Sequence, residues 1–407
     1  MNLLFLGLMY NRQNEPEYLR KSKSTLPGAI NTFQWNLIDG LKACPNVELQ
    51  IINTVPVGTY PKQYSAIAIP SRIWQYDNIN CYEAGYINLP ILKMEMRKKK
   101  LLKIIFDIIT SYNGESINII FYSLYLPFLE VIKRIKERFS NVTVTVIVPD
   151  LPCQYGILPK KKIKKALMMK YGQKTLSYSE YIDSYILLTE YMKYPLKINN
   201  KPYCVIEGIA GEIRNESNIK RNNKKVIMYT GTLIPEFGIK KLIEAFEQIN
   251  GMEYELWICG SGGIEDEIRS IQKRDNRIQF FGYVEKNKIL EMQENATVMV
   301  NPRTNEGEYT KYSFPSKTME YMASGKPVVM YKLDGIPDEY DEYLNYVDTD
   351  CDDISGLKNA ILNVTNNYDI MLKKAAAAKK FVLENKNGKA QAMKIITFLN
   401  ENNNNKY

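Results

Sequence analysis

Histidine is absent from all 407 residues. That removes the Ser-His-Asp triad, the Cys-His dyad and every imidazole acid or base. The six cysteines (Cys44, Cys81, Cys153, Cys204, Cys259, Cys351) are scattered, with no C-x-x-C pair. Without histidine beside them, the usual zinc frameworks are disfavoured, and no metal site is expected. No apolar run approaches the roughly 20 residues that span a bilayer. The short apolar start has no basic residues ahead of it, unlike a signal peptide, so a cytoplasmic protein is expected. Catalysis is left to carboxylates, lysine, arginine, tyrosine, hydroxyls and backbone dipoles.

What is present is globular: 45% apolar and 24% charged residues, in a chain long enough for two or three domains. The net charge of +9 gathers in two clusters, residues 93–103 and 160–170. Both mix cations with Leu, Ile and Met at spacings that a helix would segregate onto two faces. One reading is an anionic membrane surface, where each cation contributes about 1 kcal/mol; the other is a pair of solvated helix faces. No recognition motif points to nucleic acid.

Apolar runs of strand length alternate with amphipathic stretches. In the first half the strands are expected at residues 3–9, 47–53, 117–122, 142–148 and 184–188. They are continuous rather than alternating, as strands covered on both faces should be. Helices are expected at 32–41 and 126–138. A polar, basic passage breaks the pattern, which then restarts with strands at 226–230, 254–259, 278–281, 298–301 and 327–331. Two doubly wound parallel-sheet domains follow from this α/β order, with ligands at the carboxyl ends of the strands in a cleft between them. The expected boundaries are 1–210 for a first Rossmann-like domain, 211–225 for a linker and 226–380 for a second Rossmann-like domain. Residues 381–407 form a C-terminal helix, free to pack back on the first domain, and a frayed tail.

The most informative segment runs from Asn301 to Val329: strand, long polar loop, short helix. Ser316 is placed as N-cap, Lys317 at the first helical position and Gly325 just past the end. The amides of 316–318 and the helix dipole make an anion site, to which Lys317 adds a charge. Glu320 lies one residue beyond the capping-box position, which leaves its carboxylate free for a hydroxyl-rich ring. Glu306 and Glu308, in the loop, either meet a ligand or solvate the loop. Gly260, Gly262 and Gly263 follow a strand, but the third glycine of a dinucleotide fingerprint is replaced by Glu265, so a redox cofactor is not expected.

This segment resembles the donor-binding signature of the family 4 retaining glycosyltransferases, which have the two-domain GT-B fold. It is similar to the bacterial polysaccharide and glycan-assembly members, with Phe314-Pro-Ser-Lys317 followed by Glu320-Tyr-Met-Ala323. Tyr229-Thr-Gly-Thr-Leu233, Leu256-Trp-Ile-Cys-Gly-Ser-Gly-Gly263, Phe280-Phe-Gly-Tyr-Val284 and Gly325-Lys-Pro-Val-Val329 continue in the family's order. The first half matches less sharply, through Pro27-Gly28-Ala29, Val148-Pro149-Asp150 and Ile206-Glu207-Gly208.

The resemblance implies metal-independent transfer of a hexosyl group from a UDP- or GDP-linked sugar, with no other cofactor. The acceptor implied is a glycan or lipid-linked saccharide, handled at the inner face of the cell membrane. Asp150, Arg303, Lys317 and Glu320 are the implied catalytic residues. Gly28, Gly231, Thr232, Gly260, Tyr312, Ser313, Phe314, Pro315 and Ser316 join Lys317 and Glu320 in holding the donor. For Gly28 and Asp150, ordinary turn and cap roles stand beside these. Three departures matter. The first of the family's paired glutamates falls on Tyr312. The arginine and lysine that grip the diphosphate fall on Thr232 and Phe237, which leaves Arg303 and Lys317 to supply charge. Pro149 stands in the histidine position. The alternative is a degenerate, non-catalytic subunit that binds or stabilises an active partner.

Overall fold

The continuous apolar runs become the inner strands of two sheets. The computed structural model describes residues 1–404 apart from 25, 27, 153–161 and 212–223. Pro27, Cys153, Lys160, Lys161 and most of the expected linker lie outside the described residues. The chain divides into two units, Met1–Ile209 with Gly388–Tyr407, and Ala210–Asn387.

The first unit runs β1 (Asn2–Gly7), α1 (Glu15–Lys21), α2 (Gly28–Lys42), β2 (Glu48–Asn53), β3 (Ala68–Ile69), β4 (Arg72–Tyr76), β5 (Ile79–Glu83), β6 (Tyr86–Ile87), α3 (Leu92–Ser111) and β7 (Ile117–Tyr122). It continues through α4 (Leu126–Lys136), β8 (Val142–Val148), α5 (Lys162–Leu176), β9 (Ser184–Leu187), α6 (Lys193–Leu196) and β10 (Tyr203–Val205). Eight strands form one sheet in the order β10-β9-β8-β7-β1-β2-β5-β4. Every residue of β7 and β8 is buried, as helices on both faces require. The sheet is parallel except at its edge, where β4 turns back antiparallel on β5. Among the described residues, β3 and β6 stand apart as a small antiparallel pair. This excursion between β2 and α3, which buries Val55, Val57, Tyr64, Ile69 and Tyr86 in a small cluster of its own, departs from the uniform β/α alternation expected.

The second unit runs β11 (Lys225–Thr230), α7 (Ile239–Glu247), β12 (Tyr254–Cys259), α8 (Glu265–Gln272), β13 (Ile278–Gly282), α9 (Lys286–Asn295), β14 (Val298–Asn301), α10 (Ser316–Ala323), β15 (Val328–Met330), β16 (Asn345–Tyr346), α11 (Asp353–Asn366) and α12 (Tyr368–Asn385). Its sheet has the order β13-β12-β11-β14-β15-β16 and is parallel throughout. The order reverses beside β11, which places the carboxyl ends of β11, β12 and β14 around one switch point. Helix α7 shows the usual reason for a docked helix: Ile239, Leu242, Ile243 and Phe246 form one buried stripe.

The expected boundary between 380 and 381 falls inside α12, whose buried Ala378 and Val382 belong to the second core. The chain leaves this unit at Asn387, which pairs with Ala210, and Ala210 N donates to the Lys386 carbonyl (2.7 Å). Helix α13 (Gly388–Asn404) then returns to the first unit and packs on α2. Glycine is required at that crossing. A Cβ on Gly40 would sit 1.9 Å from the Gly388 carbonyl oxygen.

The basic clusters are less uniform than their sequences suggest. On α3, Arg97 is buried, Lys93 is half-buried against Thr59, and Lys98 pairs with Glu95 and Glu130 at 2.8 Å each. On α5, the first nine residues are exposed save for half-buried Met168, so lysines and Ile163, Leu167 and Met169 share one surface instead of two faces.

Candidate active site

At the switch point of the second unit, α10 is fixed from below. Fully buried Tyr321 donates to the Thr230 carbonyl and accepts from Thr230 N, both at 2.9 Å. These bonds join the helix to the end of β11, and burial holds the Tyr321 phenol far above its ordinary pKa. Ser316 is the first residue of α10, not its cap. Pro315 holds the cap position, extended at φ −68° and ψ 105°, and no side chain caps the helix. No side-chain oxygen therefore competes with an anion for the first-turn amides.

Glu320, one turn in, is not free. Lys317 Nζ lies 3.0 Å from both carboxylate oxygens, and Gln293 Nε2 donates to Oε1 at 2.7 Å. Of the roughly four acceptor positions on a carboxylate, three are used, which leaves room on Oε2. Gln293 itself is fully buried on α9, and its own Oε1 has no hydrogen-bond partner. The Lys317 charge also reaches Cys259 at the end of β12, although burial still pushes that thiol up to about 12.

Arg303 follows β14. Its guanidinium carbon lies 5.4 Å from the Phe237 ring centroid and 4.8 Å from that of Tyr309, and Nη2 donates to Ser313 Oγ at 3.0 Å. Nε is buried without a partner. Burial holds the guanidinium below its ordinary value, and among the described residues no carboxylate offsets this. A half-buried cation without a counter-ion is costly unless an anion completes it.

Tight loops line the space between these groups. Gly260 has φ +146°, and a Cβ there would lie 1.8 Å from the Gly231 carbonyl oxygen, so the loops after β11 and β12 approach as only glycine permits. Thr232 is exposed, and its carbonyl accepts from Tyr229 at 2.9 Å. Tyr312 is half-buried at the end of a short 3-10 turn. Phe314 is buried against Tyr340, with centroids 5.2 Å apart. Along with buried Pro315 it presents almost no surface to a ligand and serves to hold the loop. Glu306 pairs with Lys241 at 2.6 Å, while Glu308 opens the 3-10 turn, exposed.

Asp150 and Gly28 lie in the first unit. Gly28 opens α2, and a Cβ there would meet nothing within 4 Å, so packing does not demand glycine. Asp150 follows β8 on the wall of a cavity of about 280 Å³, which Leu8, Ile30, Tyr122, Tyr125 and Tyr171 also line. Desolvation raises its carboxyl above the ordinary range, although the residue keeps an exposed surface. Ser123, on the same wall, has φ +71°, a conformation costing on the order of 1–3 kcal/mol in a non-glycine residue. Such strain is commonest at functional sites.

Sequence reasoning missed Gln293, which sits in a polar run indistinguishable from a solvated face. Tyr321 carried a signal: it follows Glu320 in the recognised motif, on the side of the helix that must face the core. Arg97 and Tyr125 gave none.

Residues 211–381 match the family model described as "Glycosyl transferases group 1". A protein of Methanocaldococcus jannaschii called an uncharacterized glycosyltransferase is 22% identical over 239 residues, 58% of this chain and 63% of its own length. The chain thus spans under two thirds of that relative. The sucrose-phosphate synthase of Thermosynechococcus elongatus superposes with a TM-score of 0.63 at 15% identity, covering 98% of both chains. An Escherichia coli trehalose-6-phosphate protein bound to UDP-2-fluoro glucose gives 0.66 at 10%, again over 98% of both. Anabaena HepE in complex with UDP gives 0.58 at 13%, over 98% of this chain and all of its own (100%). Residues 211–381 are thus those of a group 1 glycosyl transferase, and the two parallel-sheet units have the GT-B fold of these glycosyltransferase structures.

Proposed function

We propose that this protein transfers a hexosyl group from a UDP- or GDP-linked sugar to a hydroxyl of a glycan or lipid-linked saccharide, retaining anomeric configuration. The observation that carries the reading is Arg303: half-buried, beside two aromatic rings, with an unpartnered Nε and, among the described residues, no carboxylate. Phe237, which occupies the position of the family's lysine, forms one of those rings. The cation is thus supplied from the loop after β14, and the aromatic that replaced the lysine holds it. Arg303, Lys317 and the first-turn amides of α10 stabilise the departing diphosphate, and Glu320 accepts from the ribose hydroxyls. The departing phosphate takes the acceptor's proton, so proline at 149 is no obstacle. Asp150 faces the acceptor in the first unit. Gly28 opens the helix beside the same cavity, and the donor loops contribute Gly231, Thr232, Gly260, Tyr312, Ser313 and Ser316.

Thermal unfolding measured against UDP-, GDP-, ADP- and dTDP-sugars tests this. A UDP- or GDP-sugar at 100 times its Kd should stabilise the fold by about 2.7 kcal/mol. No concentration-dependent shift with any of the four would refute donor binding. Slow hydrolysis of the same donor separates an enzyme from a binding-only subunit.

A lipid-linked acceptor gives the exposed lysines of α3 and α5 a purpose at an anionic membrane surface. Among the described residues no helix is long and apolar enough to cross a membrane. Neutralising Lys99, Lys103, Lys162, Lys164 and Lys165 should abolish flotation with anionic liposomes, at about 1 kcal/mol per cation. Equal flotation of variant and wild type would assign these lysines to plain solvated surface.

A further inference from the structure

The hydrogen bonds around Glu320 carry an inference about how the donor site fills, resting on the reading of Glu320 as ribose partner and Lys317 as diphosphate partner. A carboxylate offers roughly four acceptor positions. Three are taken: Gln293 Nε2 donates to Oε1 at 2.7 Å, and Lys317 Nζ reaches both oxygens at 3.0 Å. A ribose brings two neighbouring hydroxyls. One of the three protein bonds has to give way before both can be accepted.

The two protein partners are not equally able to leave. Gln293 is fully buried on α9. Its amide cannot turn over, because that would set its oxygen against a group that only accepts. In the orientation it keeps, Oε1 has no partner, a cost that a methionine of similar length would not carry. What the amide adds is its hold on Glu320. Lys317 is different. Its side chain and that of Glu320 are 38% and 31% exposed, and an ion pair so open to water is weak. Lys317 is also the second residue of α10, where the helix dipole disfavours a cation. A diphosphate at the same helix start offers the ammonium more negative charge than one carboxylate does.

We propose that the Lys317–Glu320 pair is an exchangeable latch and that Gln293 is the positioning residue behind it. The diphosphate draws the ammonium off the carboxylate, Gln293 keeps the carboxylate in place, and the vacated positions accept the ribose diol. The two halves of the donor therefore bind cooperatively, since each removes the obstacle to the other. A ligand that brings only one half, a free nucleoside or a free phosphate, meets the latch closed. The pair thus selects for a ribonucleoside diphosphate as a unit.

The test measures Kd on the full chain for uridine, UDP and their 2′,3′-dideoxy forms, with the guanosine series beside them, by ligand-observed NMR and calorimetry. Lys317→Met should act in opposite directions on the cognate pair. The nucleoside should bind about tenfold more tightly, one hydrogen bond's worth, and its diphosphate about tenfold more weakly. Gln293→Met should weaken the cognate diphosphate about tenfold, leave its dideoxy form unchanged and raise donor KM with little loss of kcat. A role in packing alone would weaken both forms alike. In wild type, removing the diol should cost the diphosphate about tenfold more than it costs the nucleoside; this comparison needs no variant, so it stands even if one does not fold. The proposal is overturned if Lys317→Met leaves the nucleoside no tighter or the diphosphate no weaker. It is equally overturned if the diol counts the same in both wild-type ligands, or if Gln293→Met does not weaken the diphosphate more than its dideoxy form. Binding of UDP or GDP without this coupling would remove the latch and keep the donor site, whereas binding of neither would remove both.

Discussion

Replacing Glu320 with alanine is expected to lower transfer by about a hundredfold or more while leaving the fold intact. Each hydrogen bond from a ribose hydroxyl to a carboxylate is worth roughly 1.5–3 kcal/mol, and two of them reach that loss. The fold survives because Tyr321, not Glu320, anchors α10 to β11. The loss should fall on donor KM and disappear when the donor nucleotide lacks ribose hydroxyls, since a 2′,3′-dideoxy nucleoside diphosphate has nothing for the carboxylate to accept. Glu320→Gln should be intermediate, keeping an acceptor for Gln293 while releasing Lys317. Equal kcat/KM in wild type and Glu320→Ala would remove this residue from the site.

Arg303→Ala is expected to cost about 10²–10³ in kcat, the range seen when one stabiliser of developing charge is removed. UDP affinity should fall with it, whereas uridine affinity should not change. Arg303→Lys should recover little, because an ammonium cannot stack between Phe237 and Tyr309 as a planar guanidinium does. If Arg303→Ala binds UDP like the wild type, the diphosphate lies elsewhere.

The parts of the fold legible in the sequence are those where one force dominates. Strands β7, β8, β12 and β14 run from the first to the last residue expected, because strands covered on both faces are dominated by apolar residues. The β4–β5 hairpin escaped notice: it lies at a sheet edge and its residues alternate in burial, so it lacks the continuous apolar run of an inner strand. The boundary at 380 failed because the alanine-rich stretch is one helix across it. At the site, the residue types of α10 were legible, but their pairing was not. Gln293 reaches Glu320 across 27 positions of chain, and a polar residue in a polar run announces nothing about where the fold will bury it. Arg97 was hidden for a similar reason, since a lysine-rich run reads as solvated and only packing shows which of its cations has been drawn inside.

The crossing of α13 over α2 has a consequence for biosynthesis. Ile395, Ile396 and Leu399 are buried in the core of the first unit, a gross contribution of roughly 1.5–3 kcal/mol each. Summed, that is comparable with the net stability of a typical domain, about 5–15 kcal/mol. The amino-terminal unit is therefore begun first on the ribosome and completed last. Its apolar flank stays bare while some 180 intervening residues are translated and fold, an interval in which a holding chaperone, or the nascent chain's own transient collapse, has to shield it.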